Sequence, residues 1–240
     1  MALQNLSAEE REFSNECVRW AKSNRTAFAN DATSRDKYPG EVDPVALFMA
    51  GSPGAGKTEV SKMLATELGG FLRVDPDDFR QSIPGYNGAN SWLVQDAVTC
   101  LVERILDKAF AQKQSFLLDG TLSSYGVAEK NIERCLKKGR EVQIIFVYQE
   151  PRQAWEFVQA RELQEGRRIP GERFVEQFFA SRNVVERLKV KFPRGIKIDV
   201  ILKNIDGTDR RYHANVNNLN AVVPLVHTRE QVASMVASPN

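Results

Sequence analysis

The feature that most constrains this chain is a glycine-rich segment that lies between an apolar run and a helical pattern. The apolar run, residues 44–50, predicts a strand buried on both faces of a parallel sheet. The segment fits G-x-x-x-x-G-K-S/T and consists of Gly51, Ser52, Pro53, Gly54, Ala55, Gly56, Lys57 and Thr58. Its glycines let the backbone wrap an anion, and the start of the next helix adds positive partial charge. We therefore expect a phosphate-binding turn.

A turn of this type, the P-loop, binds nucleoside triphosphates. Lys57 would neutralise oxygens of the β- and γ-phosphates, and the Thr58 hydroxyl would ligate Mg²⁺. The alternative is a plain glycine-rich turn with a solvated lysine, and the complete motif between a strand and a helix argues against it. We expect ATP or GTP binding together with Mg²⁺.

Strand and helix patterns alternate beyond the turn, which is typical of an α/β fold. The predicted strands are 44–50, 71–74, 115–118 and 142–148, and the predicted helices are 58–68, 92–110, 127–138, 152–164 and 171–190. This order predicts a P-loop NTPase-type, mostly parallel sheet flanked by helices.

The chain is expected to form a single α/β domain around the P-loop, over residues 1–240. Residues 1–43 form a helical N-terminal extension opened by a capping box, Ser7 to Glu10, and residues 44–205 form the core. Residues 206–240 supply a hairpin strand after the turn pair Asp206-Gly207 and a last helix from Thr228.

Composition excludes several other classes of protein. Lys and Arg number 33 and Asp and Glu 31, a net charge of +2, so no strong field attracts nucleic acid or an anionic membrane. The apolar runs are far shorter than the roughly 18 residues of a spanning helix, and no signal sequence is recognisable. Three scattered cysteines and two histidines disfavour disulfides and zinc. We expect a cytoplasmic protein with no membrane partner and no nucleic-acid partner.

The P-loop alone does not decide what happens to the γ-phosphate, because GTPases, motor ATPases and small-molecule kinases share it. A GTPase carries Asn-Lys-x-Asp after a central strand, and residues 203–206, Lys-Asn-Ile-Asp, do not match that motif. A chain of 240 residues with one P-loop leaves little room for a motor's extensions. A kinase fits best.

Carboxylates follow two of the predicted strands. Asp75, Asp77 and Asp78 come after the second strand, where open α/β sheets build their sites, and Asp77 could take the proton of an attacking hydroxyl. Asp119 ends the next strand and could hold Mg²⁺, a role that Asp75 could also fill, and Thr121 could bond substrate. Capping aspartates and an Asp-Gly turn are the structural alternatives.

Arginines lie at the hinge between the helices predicted over 152–164 and 171–190. Arg161 and Arg167, with Arg168 as the alternative to Arg167, could close over a transferring phosphoryl group, whose charge guanidinium groups match. Gly166 and Pro170 would set the hinge of such a lid. A solvated, arginine-rich helix end is the alternative.

Taken together, four motifs over about residues 44–205 resemble the zeta toxin family. They are the P-loop, Asp75-Pro-Asp77-x-Phe79-Arg80, Asp119-Gly-Thr121, and Arg161 followed by Gly166-Arg167-x-x-Pro170. The resemblance implies an ATP-dependent kinase of a toxin–antitoxin pair that phosphorylates the 3′-hydroxyl of the amino sugar in UDP-N-acetylglucosamine. A small antitoxin protein is the implied partner.

The resemblance also implies residue roles. Asp77 matches the catalytic base, Lys57 the P-loop lysine, and Arg161 and Arg167 the phosphate-clamping arginines. The implied substrate-binding residues are Asp77, Arg80, Glu103 and Thr121. This chain has Asp119 where Glu is common in the family, and no basic residue closely follows Thr121, so the choice of nucleotide sugar stays open.

Two other functions remain open from the sequence. One is a P-loop kinase of another hydroxyl, on an antibiotic, a nucleotide or an RNA end. The other is a nucleotide-gated binding module, whose output is association with a partner. Asp77 and the arginine hinge favour a kinase, because a pure switch has no evident use for them.

Overall fold

The computed structural model describes residues 6–203, 210–223 and 227–237. The strands are β1 (Val45–Ala50), β2 (Leu72–Val74), β3 (Phe116–Leu118), β4 (Glu141–Tyr148), β5 (Lys197–Lys203) and β6 (Arg210–His213). In these residues they form one sheet in the order β2-β3-β1-β4-β5-β6. The pairs from β2 to β5 are parallel, and β6 pairs antiparallel with β5. The predicted mostly parallel α/β sheet is confirmed.

Helices cover both faces of the sheet. They are α1 (Ala8–Ala32), α2 (Lys57–Leu68), α3 (Gln95–Ala111), α4 (Tyr125–Lys137), α5 (Pro151–Glu165), α6 (Gly171–Lys191) and α7 (Arg229–Ala237). On one face, Leu47 and Met49 of β1 pack in a cluster with Val60 of α2. On the other face, Phe48 packs in a cluster with Ile132 of α4. β1 is apolar throughout because both of its faces are buried.

The described part of the N-terminal extension contains one long helix, α1, which packs against α3. Its capping box forms as predicted, because the Ser7 hydroxyl accepts from the Glu10 N–H and the Glu10 carboxylate accepts from the Ser7 N–H. Cys17 and Ala21 are buried in the same cluster as Val98 of α3. This contact gives α1 the tertiary packing on which helices in proteins chiefly depend.

Two elements differ from the sequence-based expectation. A 3₁₀ helix, Pro76–Ser82, follows β2, since Asp75 caps it and Pro76 occupies its first position. The helix expected from residue 92 begins at Gln95, because the preceding residues form a turn.

The C-terminal part of the expected hairpin is present as β6, and α7 follows Thr228 as predicted. The Asp206-Gly207 turn lies outside the described residues. The assignment of all 240 residues to one domain stays a prediction. No helix among the described residues is both long and apolar enough to cross a lipid bilayer.

Substitution of Phe116, in the core beside the sheet, tests how much that core contributes to stability. The Phe116 ring is 1% exposed and lies edge-on to Phe48 and Phe110, at centroid distances of 5.9 and 5.6 Å. Phe116→Ala should lower the free energy of unfolding by about 3–5 kcal/mol, because it leaves a cavity between rigid elements. Urea unfolding followed by circular dichroism measures this loss. Leu163→Ala, at a position 89% exposed, is the control and should change little, and equal losses in the two variants would contradict the assignment of the core.

Candidate active site

The P-loop joins the end of β1 to the start of α2. Gly51 has φ 136°, and a side chain there would collide with the carbonyl of Val147 in β4. Gly56 is the N-cap of α2 in the left-handed conformation, so the first N–H groups of the helix have no side-chain cap. An open helix N-terminus beside a glycine turn binds an anion readily. The structure therefore supplies the geometry that the sequence motif predicts.

Lys57 lies inside this turn. Its side chain is buried, and its ammonium donates to the backbone oxygen of Ser52 at 2.6 Å. Burial lowers the pKa of Lys57 to about 8, although the carboxylates of Asp119 and Asp77 partly oppose that effect. An added anion would favour the charged form, so a phosphate in the turn would raise this pKa again.

The turn that carries Asp77 is fixed by Asp75. The Asp75 carboxylate accepts from the backbone N–H of Asp77 at 2.9 Å and so caps the 3₁₀ helix. Burial raises the pKa of Asp75 to about 6, and the negative charges of Asp119 and Asp77 act in the same direction. Asp75 therefore positions the turn that carries Asp77, and burial of its carboxylate disfavours the charged form.

Three arginines surround the Asp77 carboxylate. Arg80 donates to it at 3.0 Å, Arg167 forms an ion pair with it, and Arg161 lies 3.9 Å away. Burial acts to raise the pKa of Asp77, but the charges of Arg167 and Arg80 outweigh burial and hold it below its usual value. Arg168 is largely exposed and pairs at 3.9 Å with Glu162, so Arg167 is the hinge arginine that faces Asp77.

Arg80 forms several hydrogen bonds within the protein, in addition to any contact it would make with substrate. It is buried, and besides Asp77 it donates to the Ser91 carbonyl at 2.7 Å and to the Gln95 side chain at 2.8 Å. It therefore ties the Asp77 turn to α3. Its expected role in binding substrate stays a prediction.

Asp119 directly follows β3 and belongs to a buried network that the sequence does not reveal. Its carboxylate accepts from the Ser61 hydroxyl at 2.6 Å and from Arg73 at 2.8 Å. The same Arg73 guanidinium pairs with Asp75 and, at 3.0 Å, with Asp78. Arg73 thus joins the ends of β2 and β3. The sequence signal that could have identified it is an arginine between two apolar residues of a predicted strand, with three carboxylates within the next five residues.

An open cleft of about 1030 Å³ contains nearly all the predicted site residues. Those that line it are Pro53, Gly54, Ala55, Gly56, Lys57, Thr58, Asp77, Arg80, Glu103, Asp119, Thr121, Arg161 and Arg167. Gly51 and Ser52 belong to the P-loop but do not line the cleft. Thr121 bonds Ser123 at 2.8 Å, and Glu103 pairs with Lys130 at 3.5 Å. The structure therefore brings the phosphate-binding and acceptor-side residues to one cavity.

The side chains of Thr58 and Asp119 are of the kind that holds Mg²⁺ bound together with a nucleotide. No group of three or more His, Cys, Asp or Glu side chains that could hold a metal occurs among the described residues. Thr58 and Asp119 offer one hydroxyl and one carboxylate, and Mg²⁺ is commonly held by one or two such groups plus substrate phosphates.

A sequence model of the zeta toxin family matches residues 30–217. The chain belongs to the zeta toxin family. No curated protein sequence matches it. Family membership supports a P-loop kinase toxin that uses ATP.

Solved structures show the same fold as this zeta toxin. A chain of the PezAT chromosomal toxin–antitoxin system of Streptococcus pneumoniae is 18% identical with a TM-score of 0.56, covering 87% of this chain and 83% of that one. AvrRxo1-ORF1:-ORF2, crystallised with ATP, is 18% identical with a TM-score of 0.59, covering 89% and 69%. A chain of the Pnkp1/Rnl/Hen1 RNA repair complex is 15% identical with a TM-score of 0.53, covering 76% and 52%. These likenesses establish the fold.

The raised pKa of Asp75 predicts that the stability of the protein depends on pH. Because the folded-state pKa of Asp75 lies near 6 against an ordinary value of 3.8, the folded protein keeps a proton that the unfolded chain loses between those pH values. The free energy of unfolding should therefore fall as pH rises from about 4 to 6, by about 3 kcal/mol relative to Asp75→Asn. Urea unfolding at several pH values, with EDTA present, measures this slope.

Asp78→Asn is the matched control for this slope. It removes an exposed carboxylate from the same turn and leaves Asp75 in place, so it should follow the wild-type slope. Parallel curves for wild type and Asp75→Asn would show that Asp75 does not cause the slope.

Proposed function

We propose that this zeta toxin is an ATP-dependent phosphotransferase that transfers the γ-phosphate of ATP to the 3′-hydroxyl of the amino sugar of UDP-N-acetylglucosamine or a related nucleotide sugar. The observation that carries the proposal is the placement of Asp77 and its arginines in the same cleft as Lys57 and the P-loop. Family membership supports the kinase activity, and the nucleotide-sugar acceptor follows from the resemblance in sequence motifs.

The P-loop side holds the triphosphate. Backbone N–H groups at the start of α2 and the Lys57 ammonium would meet the β- and γ-phosphates and stabilise their negative charge. Thr58 and Asp119 would hold Mg²⁺ with the nucleotide, and the ion would supply positive charge that neutralises the phosphates.

The acceptor side supplies the base. The acceptor oxygen attacks the γ-phosphorus, the bond from that phosphorus to the β–γ bridging oxygen breaks, ADP leaves, and the hydroxyl proton passes to the Asp77 carboxylate. Glu103 and Thr121 line the same cleft and would orient the sugar. Positioning of this kind is the main contribution a protein makes to phosphoryl transfer.

The arginines link the arrival of ATP to the basicity of Asp77. Without a ligand, Arg167 and Arg80, and more weakly Arg161, hold the pKa of Asp77 low, which makes the carboxylate a weak base. Of these three, Arg161 and Arg167 form the proposed phosphate clamp. A γ-phosphate competes for both guanidinium groups, and their withdrawal would raise the pKa of Asp77. The same two residues then stabilise the transferring phosphoryl group.

The biological role proposed with this chemistry is that of a toxin restrained by a small antitoxin protein in the cytoplasm. Family membership and the toxin–antitoxin system among the solved structures support that role. Growth arrest on expression, relieved by a small protein encoded beside the gene, would test it.

Asp77→Asn is the direct test of the base. The variant should bind MgATP at least as well as wild type, because a neutral side chain leaves the arginines to the phosphates. Transfer to UDP-N-acetylglucosamine should fall roughly 10²–10⁴-fold with the loss of the proton acceptor. Calorimetry measures binding, and mass spectrometry of the sugar product measures transfer.

Asp107→Asn is the matched control, since that aspartate pairs with Arg134 at 2.7 Å outside the cleft. It should retain wild-type transfer. Full activity of Asp77→Asn would remove Asp77 from the role of base.

A panel of acceptors separates the kinase from the alternatives. UDP-N-acetylglucosamine should increase ADP release above the rate with ATP alone, whereas nucleosides and RNA with a free 5′-hydroxyl should not. Stimulation by one of those compounds instead would indicate a kinase of another hydroxyl. A nucleotide-gated binding module would be favoured if no acceptor changes the rate of ADP release and if a partner protein is retained only in the presence of ATP.

A further inference from the structure

Lys203, the last residue of β5, brings a second lysine to the P-loop. Its ammonium lies 2.7 Å from the Glu59 carboxylate on the first turn of α2, and its side chain is mostly buried. It also lies directly against Gly56, where a side chain would collide with the ammonium. Both Lys203 and Glu59 line the cleft that holds the predicted site.

The sheet order shows which part of a nucleotide Lys203 would meet. β1 and its P-loop lie in the middle of the sheet, with β3 and β2 on one side and β4 and β5 on the other. Asp77 follows β2, so a triphosphate that presents its terminal group to Asp77 points its nucleoside end towards β4 and β5. Among the described residues that line the cleft, Lys203 is the cation contributed by those two strands.

We propose that Lys203 binds the nucleotide at the phosphate nearest the ribose, and that Glu59 holds the Lys203 ammonium in place until the nucleotide arrives. This inference rests on the proposed function, because it requires ATP in the P-loop. An ammonium donates to phosphate oxygens and to a carboxylate in the same way, so the two acceptors compete. Glu59 is thus a competitor of the nucleotide as well as a partner of Lys203.

A purely structural ion pair between β5 and α2 is the competing explanation. The two explanations differ in the sign of one effect. If the pair only ties β5 to α2, then removing either charge breaks the same contact and the two variants behave alike. If Lys203 is a nucleotide ligand, removing Lys203 weakens binding, whereas removing Glu59 strengthens it.

The experiment compares Lys203→Gln and Glu59→Gln by titration calorimetry with ATP and with ADP, both in Mg²⁺. Lys203→Gln should raise the dissociation constants of ATP and ADP equally, by about tenfold. This is the low end of the range for loss of a charged hydrogen bond at a partly hydrated site. Glu59→Gln should increase the affinity for both ATP and ADP. Lys203→Arg should keep near wild-type affinity, because it keeps the charge.

Lys197→Gln is the matched control at the opposite end of the same strand. Lys197 pairs with Glu141 at 2.6 Å, away from the cleft, so its loss should leave both affinities unchanged. Circular dichroism and thermal unfolding confirm that each variant is folded.

The outcomes separate this inference from the function on which it rests. Wild-type protein that binds neither nucleotide would overturn both. Wild-type protein that binds ATP, with Lys203→Gln binding it equally well, would overturn the inference alone. A loss confined to ATP would place the contact at the terminal phosphate, and a parallel loss in Lys203→Gln and Glu59→Gln would make the pair structural; either result overturns the inference.

Discussion

The contact of one guanidinium group, that of Arg73, with the buried carboxylates of Asp75 and Asp119 holds the site together. Two carboxylates this close and this far from water repel each other strongly, and a buried charge without a partner is costly. Arg73 offsets part of that conflict, although the pKa of Asp75 stays raised to about 6, and it joins the ends of β2 and β3. Since Asp75 in turn caps the turn that carries Asp77, the position of the proposed base depends on the same contact.

The cleft is asymmetric about β1. Carboxylates follow β2 and β3, and Arg80 and Arg167 face the Asp77 carboxylate there, where the proposed reaction takes a proton from the acceptor and develops negative charge. On the other side, β5 contributes a lysine beside the P-loop. This division fits a linear substrate that lies across the carboxyl edge of the sheet, with its reactive end at one side and its nucleoside at the other.

Local patterns explain how much could be predicted from the sequence. The P-loop, the capping box of α1 and the buried strand β1 each arise from neighbouring residues, so motif and periodicity identify them. Periodicity does not predict the 3₁₀ helix after β2, because so short an element leaves no periodic pattern. The resemblance implies a substrate-binding role for Arg80, and the structure shows that Arg80 also donates to the Ser91 carbonyl and the Gln95 side chain.

The sequence by itself determined the chemistry available: a glycine turn that binds phosphate, a lysine within it, and acids that follow strands. The tertiary structure alone decided which charges face one another. Lys203 and Glu59 are 144 residues apart in the chain, and Arg167 and Asp77 are 90 apart, so no local pattern could reveal either pair. Parallel strands bring their carboxyl ends to one edge whatever their order in the sequence, and that edge sets the distances on which electrostatic interactions depend.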